Sequence, residues 1–201
     1  MGNEIALAKA LEDFGNLSPY VAAAKSGTDF DQGVFKVGFF NRTFRISHPT
    51  GEIKEIDGQN PYPGWLHLVI LHYLIQADGT PVADHWITYR QLPGATFFER
   101  RFMNMSINPL TKGFGNDIEG FKRGAASLGG EPISRTGDAG FRFKALPRIP
   151  MACVLYLGDE EVQPSVNVFF DAAAAAYLPT EDLSLLGMYL NVMQRYKSPK
   201  Q

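Results

Sequence analysis

Apolar and polar side chains alternate over residues 33–47, and this period of two limits the folds open to the chain. Within GVFKVGFFNRTFRIS, Phe35, Val37 and Phe39 share one face, and Phe44 and Ile46 resume the pattern after a break. Asn41-Arg42 and the triplet Pro49-Thr50-Gly51 have the composition of turns. The sequence therefore predicts a meander of two or three antiparallel strands in this part of the chain.

Other stretches have helical spacing or further alternation. Helices are predicted over about 3–14, directly after Pro19, and over 65–77, 97–102, 116–128 and 178–196, with Thr180 as the cap of the last one. Strands are predicted over 86–91 and 139–147 and on both sides of the acidic turn 159–161. The elements do not alternate as β-α-β units, so the expected class is α+β: antiparallel strands and hairpins packed with several helices, the last at the C-terminus. We expect one domain over 1–201, with residues 1–32 as a helical N-terminal extension packed on it.

Composition and motifs exclude several functional classes. The net charge is −2 and no basic stripe is present, so nucleic acid is not an expected partner. The single cysteine, Cys153, cannot hold an iron–sulfur cluster or a thiolate zinc site alone, so no cofactor is expected through a cysteine cluster. No phosphate-binding glycine loop and no nucleophile elbow occurs, so the motifs do not indicate an enzyme.

The hydropathy pattern predicts a soluble protein. The longest apolar run without a formal charge, Trp65–Ile75, is well short of the ~20 residues that a membrane span needs. The N-terminal residues lack the basic start and apolar core of a signal peptide. A cytoplasmic location without membrane association is expected.

The segment LHYLIQADGTPVADHWITYRQLPG, residues 71–94, holds two of the four histidines. His67 and His72 diverge by roughly 140° on their predicted helix, so they cannot share a metal ion as an i, i+4 pair would. His72 and His85 can approach each other across the connection 78–84, with Asp78 or Asp84 as a third ligand suited to Fe(II) or zinc. The alternative is that one histidine faces a neighbouring strand and the other faces solvent.

A ligand pocket is expected between the helix 65–77, the strand 86–91 and the connection 171–182. The candidate ligand-binding residues are His72, Tyr73, His85, Trp86, Arg90, Arg142, Arg148, Asp171 and Tyr177. Arg142 and Lys144 share a strand face that suits an anionic ligand or an acidic partner, although ordinary exposed charges explain them equally well. Cys153 is predicted to be a buried, inert thiol. Glu181 and Asp182 are explained by the first turn of a helix, where the helix dipole favours negative charge.

Four blocks in a fixed order resemble the uncharacterised family known as domain of unknown function 3786. They are LHYLIQADGTPVADHWITYRQLPG, FGNDIEGFKRGAASLGGEP, FRFKALPRIPMACVLYLGDEE and NVFFDAAAAAYLPTEDLSLLG, and the resemblance runs from about Gly33 to the C-terminal helix. It implies proteins of anaerobic bacteria and archaea, some fused to a four-cysteine module similar to that of corrinoid iron–sulfur proteins. The resemblance also implies that Ala173, Ala175 and Ala176, within the run Ala172–Ala176, replace a serine, a proline and a histidine of the family. If that histidine is a ligand in other members, this chain lacks it.

The expected function is therefore that of an accessory or binding protein of anaerobic, one-carbon metabolism linked to corrinoids or iron–sulfur centres. It would engage a small ligand, a metallocofactor or a partner such as a corrinoid protein, an iron–sulfur protein or a larger enzyme complex. One alternative is a metal-dependent enzyme that uses His72, His85 and a carboxylate. Another is a structural subunit of a larger complex.

Overall fold

Two antiparallel sheets with helices packed around them form the structure. The computed structural model describes residues 2–56, 58 and 61–198. The helices are α1 (Gly2–Asn16), α2 (Pro19–Ser26), α3 (Trp65–Gln76), α4 (Glu99–Phe102), α5 (Asn108–Phe114), α6 (Ile118–Ser127) and α7 (Thr180–Tyr189). The strands are β1 (Asp29–Asp31), β2 (Val34–Phe39), β3 (Arg42–Ser47), β4 (Ile53–Glu55), β5 (Trp86–Thr88), β6 (Glu131–Pro132), β7 (Ala139–Leu146), β8 (Ile149–Tyr156) and β9 (Ser165–Asp171). This architecture confirms the predicted α+β class with a C-terminal helix.

The first sheet has the strand order β1-β2-β3-β4. Its inner face carries the five apolar side chains of the alternating pattern, all fully buried: Phe35, Val37, Phe39, Phe44 and Ile46. Strands β2, β3 and β4 agree with the predicted meander of two or three strands, and β1 adds a fourth strand that was not predicted. The stretch 1–32 is not helical to its end, because Phe30 of β1 pairs with Phe35 of β2 and so joins the sheet.

The turn between β2 and β3 lies one residue earlier than predicted. Phe39 pairs with Arg42, so the turn residues are Phe40 and Asn41. Phe40 has a φ of 50°, a left-handed conformation that is unusual for an aromatic residue. Its N–H donates to the Ala145 carbonyl at 3.1 Å, and its ring lies 5.2 Å from that of Tyr189. These tertiary contacts fix the turn and connect the first sheet to the second.

The second sheet has the order β5-β9-β8-β7-β6. Its central strand β8 is buried along its length up to Tyr156. Cys153 lies in this strand and is fully buried, and burial raises the pKa of its thiol. The predicted burial of this thiol is confirmed, and the raised pKa disfavours the thiolate, which is the reactive form of cysteine.

The predicted strand over 86–91 is wrong beyond Thr88. Residues Tyr89–Gln91 form a 3₁₀ turn in which the Gln91 side-chain oxygen accepts from the Thr88 backbone N–H at 2.8 Å. The Tyr89 ring turns inward and stacks on Phe102 at 4.0 Å. Burial of a large aromatic pair here outweighs continued strand pairing.

The helical segment predicted over 97–102 is longer than expected. It continues through a π-helical turn, Met103–Ile107, into α5. The predicted cap of the C-terminal helix is also wrong. Thr180 is the first helical residue, and its hydroxyl donates to the Pro93 carbonyl at 2.6 Å instead of accepting from its own helix. A 3₁₀ helix, Leu190–Tyr196, follows α7.

Buried residues of both sheets and of the helices form one continuous cluster. Within the residues described above, no helix combines the length and the apolar character that crossing a membrane requires.

Helix α6 packs closely against the C-terminal 3₁₀ helix at Gly124. A Cβ atom added there would lie 2.8 Å from both the carbonyl oxygen and the Cβ of Met193. Alanine normally stabilises a helix interior by up to about 1 kcal/mol over glycine. At this position the clash with backbone atoms opposes that gain.

We expect Gly124→Ala to lower the free energy of unfolding by about 1–2 kcal/mol, because overpacking costs more than helix propensity returns. The measurement is urea unfolding followed by circular dichroism. Gly38→Ala is the matched control, since nothing lies within 4 Å of a Cβ added there. A stabilised Gly124→Ala variant would contradict the close contact.

Candidate functional site

Helices α3 and α7 lie side by side in opposite directions. His72 of α3 contacts Asp182 at the start of α7, and Trp65 at the start of α3 lies 6.2 Å, ring to ring, from Tyr189 at the end of α7. On each helix, the two residues that make these contacts are about two turns apart, or about 10 Å. The surface between these contacts is the candidate functional site.

The His72–Asp182 pair is the polar contact of this site. Nδ1 of His72 lies 2.6 Å from Oδ2 of Asp182. An ionised carboxylate can only accept, so Nδ1 carries a proton and donates. The side chains are 26% and 10% exposed, respectively, so solvent reaches the histidine but hardly reaches the carboxylate.

The pair favours the charged form of the histidine. The hydrogen bond to Asp182 raises the pKa of His72 above its ordinary value, although burial acts in the opposite direction. In the neutral form the proton stays on Nδ1, and Nε2 has a free lone pair. No other hydrogen bond of the His72 ring occurs in the described part of the chain. An imidazole held in this way can accept a proton or bind a metal through Nε2.

Partly buried apolar side chains flank the histidine. Leu68 and Ile75 lie four residues before and three residues after His72, on the same face of α3, and Leu185 follows Asp182 by one turn of α7. The site is thus a partly buried, mainly apolar strip with one polar pair.

Tyr73 and Tyr177 fill the interior where a pocket was expected. Both are fully buried, with ring centroids 5.8 Å apart. The Tyr73 hydroxyl donates to the Ser26 carbonyl at 2.6 Å and accepts from the Arg148 N–H at 2.9 Å. Burial raises the pKa of both phenols. Their hydroxyl groups are engaged within the fold.

The segment 78–85, which we call the strap, crosses above Tyr177 and Asp171. The Tyr177 hydroxyl donates to the Thr80 carbonyl, and Oδ1 of Asp171 accepts from the N–H of Ala83 and of Ala173, both at 2.9 Å. Asp171 is only 1% exposed, and its Oδ2 has no partner among the residues described. Asp171 therefore acts as an anchor for the strap.

The two histidines and Asp78 are not assembled as a metal site. His85 is exposed at the end of the strap, where its carbonyl accepts from the Ala172 N–H. Asp78 is exposed, and Oδ1 accepts from the Thr80 N–H, which lowers the pKa of the carboxyl. Nδ1 of His72 is used by Asp182. Over 2–56, 58 and 61–198, no three His, Cys, Asp or Glu side chains form a group that could hold a metal ion.

The remaining candidates lie on the surface or beside the core. The Arg142 guanidinium lies 5.8 Å from the Trp86 ring centroid and 3.4 Å from Asp84, on an exposed part of the second sheet. Arg90 is exposed, 3.8 Å from Glu99. Arg148 is half-buried, and its Nε has no hydrogen-bond partner within the described chain. None of these three contacts His72.

A cleft of about 640 Å³ next to Tyr189 was not predicted from the sequence. Arg42 and Glu55 form a two-point ion pair on its wall, with Nε to Oε1 at 2.6 Å and a second contact between Nη2 and Oε2. Arg195 and Tyr62 also line it. The signal in the sequence was weak, since Arg42 was assigned to a turn.

Comparison with known protein families identifies the family of this chain. The family described as domain of unknown function (DUF3786) matches residues 18–193. No curated protein and no solved structure matches the chain.

We expect Asp182→Asn to destabilise the fold most at acid pH. The raised pKa of His72 means that the folded state binds the proton more tightly than the unfolded state, so this stabilisation is present below the unfolded value of about 6.5 and is lost as pH rises through the folded value. The free energy of unfolding should fall by about 2 kcal/mol near pH 5.5 and by about 1 kcal/mol near pH 9. Urea unfolding at the two pH values measures it. The control is the same substitution in a chain that also carries His72→Gln. There, Asp182→Asn should lower the free energy of unfolding equally at the two pH values.

We expect Asp171→Ala to loosen the strap. The change removes the acceptor of the Ala83 and Ala173 N–H groups and should cost about 1–3 kcal/mol. Hydrogen exchange at the Ala83 amide should accelerate. Asp171→Asn keeps an acceptor oxygen at this place and serves as the control. Unchanged exchange in Asp171→Ala would show that the strap is held by other contacts.

Proposed function

This chain belongs to the DUF3786 family, and on that premise we propose that it is a cytoplasmic accessory or binding protein of anaerobic metabolism that engages the metal of a macrocyclic cofactor through Nε2 of His72. A corrinoid is the cofactor class that the family resemblance favours. The observation that carries the proposal is the 2.6 Å hydrogen bond from Nδ1 of His72 to Asp182, which leaves Nε2 without a partner in the described residues.

One protein ligand is enough for a metal in a macrocycle. The ring nitrogens of such a cofactor already hold its metal, so the single donor Nε2 of His72 would be enough to bind the group to this chain. A bare metal ion needs three or four protein ligands, and His72 has only Asp182 beside it. The donor set therefore suits a macrocyclic metal better than a free ion.

Asp182 supports this role through the second nitrogen of the ring. A ligating histidine commonly donates its other N–H to a carboxylate, which fixes the ring orientation and strengthens the donor. Leu68, Ile75 and Leu185 provide partly buried apolar surface next to the imidazole. A macrocycle bound at this place would remove such surface from water. The bound group would supply the redox or one-carbon chemistry, while this chain binds and orients it.

Binding should depend on pH. The proton on Nε2 must leave before that nitrogen can coordinate a metal. Because the pKa of His72 is raised, binding should weaken as pH falls through that raised value.

The test is an anoxic titration of the purified chain with hydroxocobinamide and, separately, haemin, followed by visible absorption. The wild-type chain should give a saturable spectral shift with at least one of them. His72→Ala should abolish it, and Asp182→Asn should weaken affinity by about 10–100-fold. His85→Ala is the matched control, because His85 is exposed and lies outside the pair. No shift with the wild-type chain, or a full shift with His72→Ala, would refute the proposal.

The same pair also favours a second function, an enzyme in which His72 acts as a general base oriented by Asp182. A carboxylate-bound histidine with a free Nε2 is a common arrangement for proton abstraction. This version of the enzyme hypothesis keeps His72 and replaces His85 with Asp182. The general-base hypothesis would gain support if His72→Ala removed a substrate-dependent activity while the cofactor titrations of the wild-type chain gave no spectral shift. The third hypothesis, a structural subunit, predicts that the chain elutes inside an assembly when native extract is fractionated by size.

A further inference from the structure

Three basic side chains stand in one row across the outer face of the first sheet. Lys36 of β2 pairs with Arg45 of β3, and Arg45 pairs with Lys54 of β4. Directly paired residues point to the same side of a sheet, and neighbouring strands are about 4.8 Å apart. All three side chains are exposed. They form what we call the basic row.

The basic row is unfavourable for the isolated chain. Like charges directly opposite each other destabilise a sheet. Asp29 of β1 pairs with Lys36 on the other side of the row, but neither Lys36 nor Arg45 forms an ion pair with any described residue. Lys54 pairs only with the exposed Glu52, at 2.8 Å. The fold would be more stable with alternating charges here, so the row is a feature that folding alone does not explain.

The outer face around the basic row has free space, and its basic and acidic side chains lie on different strands. Gly38 lies next to Lys36 on β2, and nothing occupies the space above it within 4 Å of a Cβ position. Shallow grooves of about 230 and 300 Å³ lie on the two sides of Lys36, and Lys144 of β7 lines the smaller one. Asp29 of β1 lines both grooves, and Asp31 lines the larger one. Positive charge is thus concentrated over β2–β4, and negative charge lies at the β1 edge.

We propose that the outer face of the first sheet docks an acidic segment of a partner protein, with the carboxylates of the partner lying on Lys36, Arg45 and Lys54. Charge complementarity identifies this occupant, because carboxylates would neutralise the row, and the aspartates at the β1 edge would fix its orientation. Nucleic acid fits less well. Its regular phosphate track would extend well beyond the three cations of the row.

This surface is independent of the His72–Asp182 pair. Helix α3 packs against the inner face, where Trp65 lies 6.3 Å from Phe39, whereas the basic row points outward. A negative result for cofactor binding would therefore not count against the docking surface. A negative result for peptide binding would not count against the His72 site.

The experiment uses the full chain and a fluorescein-labelled peptide of alternating glutamate and serine, with fluorescence anisotropy as the readout. The peptide should bind at low ionic strength and weaken steeply between about 20 and 200 mM salt. Arg45→Glu should lower affinity by about tenfold or more, since it removes one attraction and adds a repulsion. Lys112→Glu, an equal charge change at an exposed helix position outside the row, should change affinity by less than about twofold.

A stability readout separates lost binding from lost folding. Arg45→Glu places a carboxylate between Lys36 and Lys54, so the melting temperature should rise while peptide affinity falls. Lys36→Glu should also reduce binding. Absence of peptide binding at low salt, or equal affinities for Arg45→Glu and Lys112→Glu, would overturn the proposal. Tighter binding of a single-stranded oligonucleotide than of the peptide, lost in Arg45→Glu, would overturn it in favour of nucleic acid.

Discussion

The contact of the Phe40 turn with the second sheet is the constraint on which most of the structure depends. The Phe40 N–H donates to the Ala145 carbonyl, and its ring lies between Phe143 and Tyr189. This contact sets the register of the β2–β3 hairpin, and therefore which side chains face outward. It also positions Tyr189, and through Tyr189 the end of α7. The outer face of the first sheet and the α3–α7 strip are thus both tied to one turn.

The His72–Asp182 pair illustrates what a local reading of sequence leaves out. The two residues are 110 positions apart. Asp182 has a sufficient local explanation in the first turn of α7, where the helix dipole favours a carboxylate. Only the antiparallel packing of α3 and α7 shows that this carboxylate also holds an imidazole. His67, on the same helix, contacts the Gly51 carbonyl at 2.8 Å.

The sequence predicted the elements well where periodicity is strong and burial decides the outcome. The alternation Phe35, Val37, Phe39 placed the inner face of the first sheet correctly, and the buried thiol of Cys153 followed from its apolar neighbours. The register of the β2–β3 hairpin could not be predicted, because the composition favours a turn at Asn41-Arg42. The actual turn residue Phe40 takes its left-handed conformation from tertiary contacts, which the local sequence does not show. A turn centred one residue later would pair Lys36 with Ser47, so the turn that the composition indicates does not predict the basic row. Tyr73 and Tyr177 were predicted near one another, but a sequence does not show whether two tyrosines line a cavity or fill it.

The burial of Cys153 has a practical consequence. The only thiol of the chain lies in the central strand of the second sheet, where no reagent can reach it unless β8 becomes exposed. Alkylation of the native protein would therefore proceed only as fast as that sheet opens. The alkylation rate of Cys153 would thus measure how often the core opens. A cysteine introduced at any exposed position would be the one fast-reacting thiol, so spectroscopic probes can be attached to either proposed surface without first removing the natural residue.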